Sequence, residues 1–323
     1  MSKIGLCVNP MSGRDVRRLA ARASNMTHEA KRDIVARIAA GADSAGVSDI
    51  YVMREPFRIA QLALEHMQLD AAVHVLDIPV KNDSRDSQKA INAFVERGCQ
   101  TIVSLGGDGT NRAIVKSSKE IDLIPLSTGT NNVFPLSVEP TLAGMVAGLN
   151  AVGKLTDKEL KSRAKVIYVE STGVHDIALI DLVLLKDDRL GSLLPFKANN
   201  IHKLLLTRAE PASIGMSPVG GLIDPVYEDE NEGLLVNLSG EGRSLRVPLS
   251  PGLFGEVCVT ATERIALDGV VFFEGPGILA MDGDREIQLL PGEVARATIR
   301  RDGPFVLKVE EAMRWAASNG IMG

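Results

Sequence analysis

Hydrophobic patterning divides the chain into two textures. Up to about residue 150, short apolar runs at 4–8, 49–53, 71–78, 101–105 and 121–126 read as strands. Longer stretches with helical periodicity lie between them. One is expected from about Arg14. A second covers 28–45, where Ile34, Val35, Ile38 and Ala39 share a stripe. A third covers 56–67, with proline in its first turn, and a fourth covers 83–97, where Ala90, Ile91, Phe94 and Val95 form the stripe and Gly98 stands just past the end. A short helix over 111–119 links the last two strands, which implies a parallel pair with a right-handed crossover.

After about Leu155 the runs are β-like and short, at 165–170, 177–185, 233–239, 257–260, 269–273, 277–281 and 294–299, separated by Gly, Pro, Asp and Asn. The pattern predicts a mostly antiparallel β domain. The stretch 190–206 fits neither class. The expected organisation is a Rossmann-like parallel α/β domain over 1–150 and a β-sandwich-type domain over 151–304. A closing strand at 305–309 and helix at 310–318 complete the chain, and a return of 305–323 to the first domain is one course open to them. With 323 residues, two domains also match a prior of roughly 150 residues each.

Composition narrows the picture only slightly. The chain is 45% hydrophobic but 4% aromatic, so its core rests on aliphatic side chains, which suits buried parallel strands. A net charge of −5 gives no electrostatic reason to expect nucleic acid as a partner. Cys7, Cys99 and Cys258 are far apart in apolar runs and read as reduced, buried thiols, without a thiolate zinc site. No signal peptide or membrane span is read, and a cytoplasmic location is expected.

Chemistry concentrates where strands 101–105 and 121–126 end. The first loop is Gly106-Gly107-Asp108-Gly109-Thr110, followed by Asn111. Glycines there serve a tight turn in the simplest reading, but a helix N-terminus directly behind them also makes an anion cradle. An aspartate aimed at phosphates is repelled unless a metal or a reacting hydroxyl lies between. The loop lacks the Lys-Ser/Thr of a Walker A sequence, and Arg112 stands where a dinucleotide fingerprint carries its third glycine. The second loop is Ser127-Thr128-Gly129-Thr130-Asn131-Asn132. It reads either as a helix-capping turn or as the partner of the first loop at one carboxyl edge, where open α/β sheets bind ligands.

These two loops, the opening Asn9-Pro10-Met11-Ser12-Gly13 and the later Asp282-Gly283-Asp284 turn follow one another as in the NAD kinase and diacylglycerol kinase superfamily, which the chain resembles over nearly its whole length. Within it, the chain most resembles the acetoin-catabolism protein X branch. The resemblance implies an active site in the cleft between the two domains. Asp108 would lie at the reacting hydroxyl as general base or orienting acceptor, with Asp284 as a second catalytic carboxylate and Asp282 at Mg²⁺. Asn9, Ser12, Gly106, Gly107, Gly109, Thr110, Asn111 and Ser127 to Asn132 (with Thr128, Gly129, Thr130 and Asn131) would hold the nucleotide. ATP and Mg²⁺ are the implied cofactors, NAD a further ligand or substrate, and a homo-oligomer the implied assembly.

The chain departs from the superfamily at the acceptor. Ala178-Leu179-Ile180-Asp181 matches an element whose third residue is Asn, so Ile180 and Asp181 stand at the acceptor-binding positions without its amide. Ile214-Gly215-Met216-Ser217-Pro218 keeps the following Gly220-Gly221 pair but loses a tyrosine, and Asp284 replaces the glutamate usual in lipid kinases. The expected function is an ATP-dependent kinase acting on a small-molecule hydroxyl. A nucleotide-binding regulator without turnover and a lipid kinase are the alternatives. His74 is expected in the core, and His175-Asp176 in a turn before a strand. Arg17, Arg18 and Arg22 would share one helical face, either solvated or attracting an anionic substrate.

Overall fold

A computed structural model of the chain describes residues 1–14, 25–192, 194, 196–238 and 241–322. The helix expected beyond Arg14, with Arg17, Arg18 and Arg22, lies outside the described residues.

The elements of the first half follow the aliphatic runs. They are β1 (Lys3–Val8), α1 (His28–Ser44), β2 (Asp49–Val52), α2 (Ile59–Leu64), β3 (Ala72–Val75), α3 (Ser84–Glu96), β4 (Thr101–Gly106), α4 (Asp108–Ser117), β5 (Asp122–Ser127) and α5 (Pro140–Ala151). Side-chain caps fix the helix starts: Thr27 accepts from Ala30 N–H, and Asp83 from Arg85 N–H. The five strands run parallel in the order β3-β2-β1-β4-β5. Helices α1 and α5 cover one face and cross so closely that a Cβ on Gly41 or Gly144 would lie 2.1 Å from a backbone oxygen of the other helix.

The second half builds β6 (Lys161–Arg163), β7 (Val166–Ser171), β8 (Val174–Ala178), β9 (Asp181–Leu185), β10 (Ile201–Leu206), α6 (Ser217–Gly221), β11 (Glu232–Asn237), β12 (Arg243–Ser250), β13 (Leu253–Val259), β14 (Ala261–Ala266), β15 (Val270–Glu274), β16 (Gly277–Met281), β17 (Asp284–Leu289) and β18 (Val294–Arg300). An antiparallel sheet β14-β11-β10-β9-β16-β17 faces a second one, β15-β18-β7-β8. Leu182, Leu184, Leu205 and Leu279 from the first and Ile167, Val169, Phe273 and Ala297 from the second form the core between them. The β12–β13 hairpin covers the other face of the larger sheet, over Leu204, Leu234 and Val236.

The chain then returns. Strand β19 (Phe305–Leu307) pairs parallel with β5 and antiparallel with β6, and α7 (Val309–Ser318) packs on the first sheet. A buried cluster containing Ile114 and Phe134 from the first half and Ile177, Leu179 and Ile180 from the second runs across the junction.

Several elements differ from the periodicity reading. The helix expected over 56–67 begins only at Ile59, because the Glu55 carboxylate accepts from the N–H groups of Phe57 and Ile59 and Arg58 takes a left-handed φ of 52°. Val95 is solvent-exposed rather than on the buried stripe. The run 177–185 is broken at Leu179–Ile180 into β8 and β9, whereas β12, β14 and β17 are too rich in charged and polar residues to stand out as apolar runs. His74 is not a core residue: it is part-exposed on edge strand β3, bonded to Asp49 at 2.8 Å and stacked on Tyr51. His175 and Asp176 lie within β8 rather than in a turn before it. Cys7 and Cys99 are buried, and burial pushes their thiols up to about 12 and about 11. Among the described residues, no helix is long and apolar enough to cross a membrane.

Candidate active site

The loops that leave the carboxyl ends of the parallel strands fold onto one another. After β1, Asn9 Oδ1 accepts from the N–H groups of Met11 (2.8 Å) and Ser12 (3.2 Å), making a tight polar turn. Lys31, buried in α1, pins this turn from behind by donating to the carbonyls of Asn9 and Pro10 at 2.7 and 2.8 Å. Asn9 Nδ2 donates to Thr110 Oγ1 at 2.8 Å, and the hydroxyls of Ser12 and Thr128 lie 2.7 Å apart. The first turn therefore touches both later loops.

Those two loops also touch each other. Thr128 N–H donates to the Gly106 carbonyl at 3.1 Å. A Cβ on Gly107 would lie 2.7 Å from Asn132 Oδ1, and one on Gly129 would lie 2.4 Å from the same atom, so glycine at both positions is what permits the contact. Asn132 is held by the Ser127 hydroxyl at 2.7 Å. Asn131 reaches the other half of the molecule, donating to the Leu249 carbonyl and the Ser250 hydroxyl, each at 2.9 Å. The next helix starts only at Pro140, so the second loop does not cap it.

The first loop is shorter than its sequence suggests, because α4 begins at Asp108 itself. Asp108 is 8% exposed. Its Oδ1 accepts from Phe134 N–H at 3.0 Å, and Val133 N–H lies 3.2 Å from both carboxylate oxygens. Burial and, after it, the neighbouring Asp282 push this carboxyl up to about 7, against the two amides and Arg208.

Asp282 sits at a left-handed φ of 49° and accepts from the N–H groups of Leu179 (2.8 Å), Ile180 (2.8 Å) and Asp181 (3.3 Å). It closes the break between β8 and β9. Burial raises its carboxyl above the usual range, with Arg112 and the amides opposing. For the metal role expected of it, only lone pairs left over by three amides remain. Asp284 stands on the cavity wall with its side chain 40% exposed, and a Cβ on Gly109 would lie 3.1 Å from its Oδ2.

Two cavities meet at Asp108. The larger, about 330 Å³, is lined by Asn9, Ser12, Gly107, Asp108, Gly109, Thr110, Gly129, Thr130, Asn131, Asn132, Asp282 and Asp284 from the expected set. The smaller, about 50 Å³, is lined by Asp108, Asn131, Asp181 and Asp282, with Val133, Leu194, Phe196, Ile214, Met216 and Leu249 as apolar walls. Gly106, Asn111, Ser127 and Thr128 line neither; they form the scaffold behind the loops. Asn111, for example, is fully buried between the Ser104 hydroxyl and the Gly107 carbonyl. Ile180 also lines neither, contrary to the acceptor contact expected of it: its side chain is fully buried in the junction core, while its N–H serves Asp282.

Other residues of the site were not expected. Glu55, Asp83 and Asp86 line the far wall of the larger cavity. They follow β2 and β3, so their position at the carboxyl edge was the available signal. Arg112, taken in sequence only as a missing glycine, is 3% exposed and clamps the halves together. It donates to the Ile177 carbonyl at 2.6 Å and to Glu286 at 2.8 and 3.0 Å, and lies 2.8 Å from Asp176. Among the described residues, no group of three or more His, Cys, Asp or Glu is arranged to hold a metal ion.

Comparison with known proteins agrees with this architecture. Residues 4–149 match the ATP-NAD kinase N-terminal domain, and residues 165–302 match the acetoin catabolism protein X C-terminal domain. The yeast NADH kinase, solved as a complex with NADH, has the same fold, with a TM-score of 0.55 at 11% identity over 98% of this chain and 86% of that one. Acetoin catabolism protein X of Cupriavidus necator is 32% identical over 99% of this chain and 93% of its own length. The chain therefore belongs to the acetoin catabolism protein X family, whose fold is that of the NAD kinases.

Proposed function

We propose that the protein is an ATP-dependent kinase that phosphorylates a small-molecule hydroxyl at Asp108, in the cleft between its two halves. The observation that carries this reading is the position of Asp108. It stands at the first turn of a helix, beneath two interlocked glycine loops, with a nucleotide-sized cavity on one side and a small pocket on the other. A volume of about 330 Å³ lies within the range of ligand sites.

The donor set fits a polyphosphate. Residues of both glycine loops and the first turn of α4 line the larger cavity, with Ser12, Thr110 and Thr130 beside them, and a helix N-terminus of this kind favours an anion. Its described lining contains six carboxylates, Glu55, Asp83, Asp86, Asp108, Asp282 and Asp284, and no Lys or Arg. A triphosphate entering there needs a cation, and Mg²⁺ carried in with ATP would neutralise its phosphate oxygens. Asp284, the more exposed carboxylate of its turn, would contact that cation.

In the reaction, the acceptor oxygen forms the new O–P bond while the bond from the γ-phosphorus to the β,γ-bridging oxygen breaks. ADP leaves, and the hydroxyl proton passes to Asp108. A carboxyl pushed up to about 7 accepts such a proton near neutral pH more readily than an ordinary aspartate. Phosphoryl transfer otherwise needs positioning and charge neutralisation rather than covalent chemistry. The cytoplasmic location and homo-oligomeric assembly expected of the chain accompany this reading.

The test is ADP and phospho-product formation from Mg²⁺-ATP over a panel of hydroxylated acceptors that includes NAD. Wild type should turn over at least one, and Asp108→Asn should slow it by about 10²–10⁴-fold while still binding ATP. Full activity in that variant removes Asp108 from the chemistry. A second reading, a nucleotide-binding regulator without turnover, is favoured by the burial of Ile180 where related kinases carry an amide; ATP binding with no product from any acceptor would select it.

A further inference from the structure

The small cavity beyond Asp108 differs from the large one in size and in the residues that line it. Val133, Leu194, Phe196, Ile214, Met216 and Leu249 form its apolar wall; its polar groups are Asp108, Asn131 and Asp282, shared with the nucleotide-sized cavity, together with Asp181 and Ser250, which are not shared. At about 50 Å³ it has room for on the order of four water-sized groups.

Its walls are fixed rather than loosely draped. Arg285, 5% exposed, donates to the carbonyls of Ser192 (2.7 Å) and Leu194 (3.0 Å), stacks over the Phe196 ring at 4.6 Å, and lies 3.0 Å from Asp188. On the opposite side, Gly215 N–H donates to the Pro248 carbonyl at 3.0 Å, and the Leu249 carbonyl accepts from Asn131. The same asparagine thus belongs to the second glycine loop and braces the apolar pocket.

We propose that this pocket selects the phosphoryl acceptor, and that the acceptor is an uncharged aliphatic alcohol of about three to five carbons, its reacting hydroxyl at Asp108 and its carbon chain against Phe196, Met216 and Leu249. The proposal rests on the kinase reading and names its substrate class. Three acceptor classes are disfavoured by the same walls. A nucleoside is several times too large. An anion would meet Asp108, Asp181 and Asp282 with no Lys or Arg in the described lining. A hexose, with about twelve non-hydrogen atoms, likewise exceeds a space of about four water-sized groups.

The experiment is a chain-length series of 1,2-diols and 2-hydroxyketones from three to eight carbons, with glucose and NAD alongside, each with Mg²⁺-ATP. The expected kcat/KM peaks within about three to five carbons and falls about tenfold or more beyond six. Phe196→Ala should move the peak to longer chains. Preferential phosphorylation of NAD or glucose, or an unchanged chain-length profile in Phe196→Ala, overturns the proposal while leaving the kinase reading intact. Absence of product from every acceptor sinks the kinase reading instead. The pocket is then judged by saturation-transfer NMR with 1,2-butanediol as probe. Signal in wild type that is lost in Met216→Trp supports it, and no signal in wild type overturns it.

Discussion

At the scale of single residues, Asp108 sets stability against function. The folded protein holds a proton on this carboxyl up to about pH 7, whereas the unfolded chain releases it near the ordinary value of 3.8. The folded state therefore binds more protons across that interval, and the contribution of Asp108 to stability falls as pH rises from about 4 to 7, then stays at its lower level. Replacing Asp108 with Asn removes the decline and keeps an oxygen for the Val133 and Phe134 amides. Thermal unfolding at about pH 8 should show Asp108→Asn more stable than wild type by about 2–4 kcal/mol, even as activity is lost. A variant less stable than wild type at that pH would contradict the burial account. Turnover should rise with pH through about 7, because the ionised carboxylate is the form that accepts a proton. A flat profile between about pH 5.5 and 8.5 would show that another group takes the proton.

At the scale of elements, the glycines separate into two kinds that substitution can tell apart. Gly144 packs α5 against α1, where an added Cβ would lie 2.1 Å from the Ile38 carbonyl oxygen, and backbone on both sides leaves no room to yield. Gly144→Ala should cost about 1–3 kcal/mol or more, read by chemical denaturation, while activity per folded molecule stays unchanged. Gly109 faces only the Asp284 carboxylate, 3.1 Å from the added Cβ. Gly109→Ala should fold almost normally but displace Asp284 and lower turnover at least several-fold; the reverse pattern would mean that the Asp284 turn has no part in the site.

Much of this layer is legible in the sequence. Strands β1, β4 and β5 are largely apolar, almost wholly buried and flanked by helices of clear period, and both polar loops follow strand ends directly. Less legible was whatever depends on partners distant along the chain. Glu55 shortened a helix through its carboxylate, Asp282 broke a strand by drawing three amides to one side chain, and Arg112 found its partners in β8 and β17. Scaffold residues such as Asn111 could not be separated from lining residues by type, because both are small and polar. The small pocket gathers residues from 108 to 283, a set that no local pattern joins.

At the scale of the whole molecule, the site exists only because the halves are joined. Asp108 and the glycine loops come from the parallel sheet, Asp282 and Asp284 from the β16–β17 turn, and the boundary between them is an apolar cluster, one buried arginine and a strand that returns to the first sheet. Arg112→Met should leave the Asp176 carboxylate, 10% exposed, with only Lys116 of its two cationic partners. The expected cost is about 2–4 kcal/mol, reduced because Glu286 is 40% exposed and water can take over its bonds. Calorimetry should show one transition for wild type, and a broadened or split one for Arg112→Met as the halves uncouple. Unchanged cooperativity would assign the coupling to the apolar cluster alone.

On the kinase reading, polyphosphate binds between the two glycine loops with its terminal phosphorus toward Asp108. A crystal structure with Mg²⁺ and a non-hydrolysable ATP analogue tests it most directly. The triphosphate is expected along Gly107–Thr110 and Gly129–Asn132, with the small pocket beside Asp108 left open. A nucleotide bound elsewhere, or a cleft that stays vacant at saturating analogue, would contradict it.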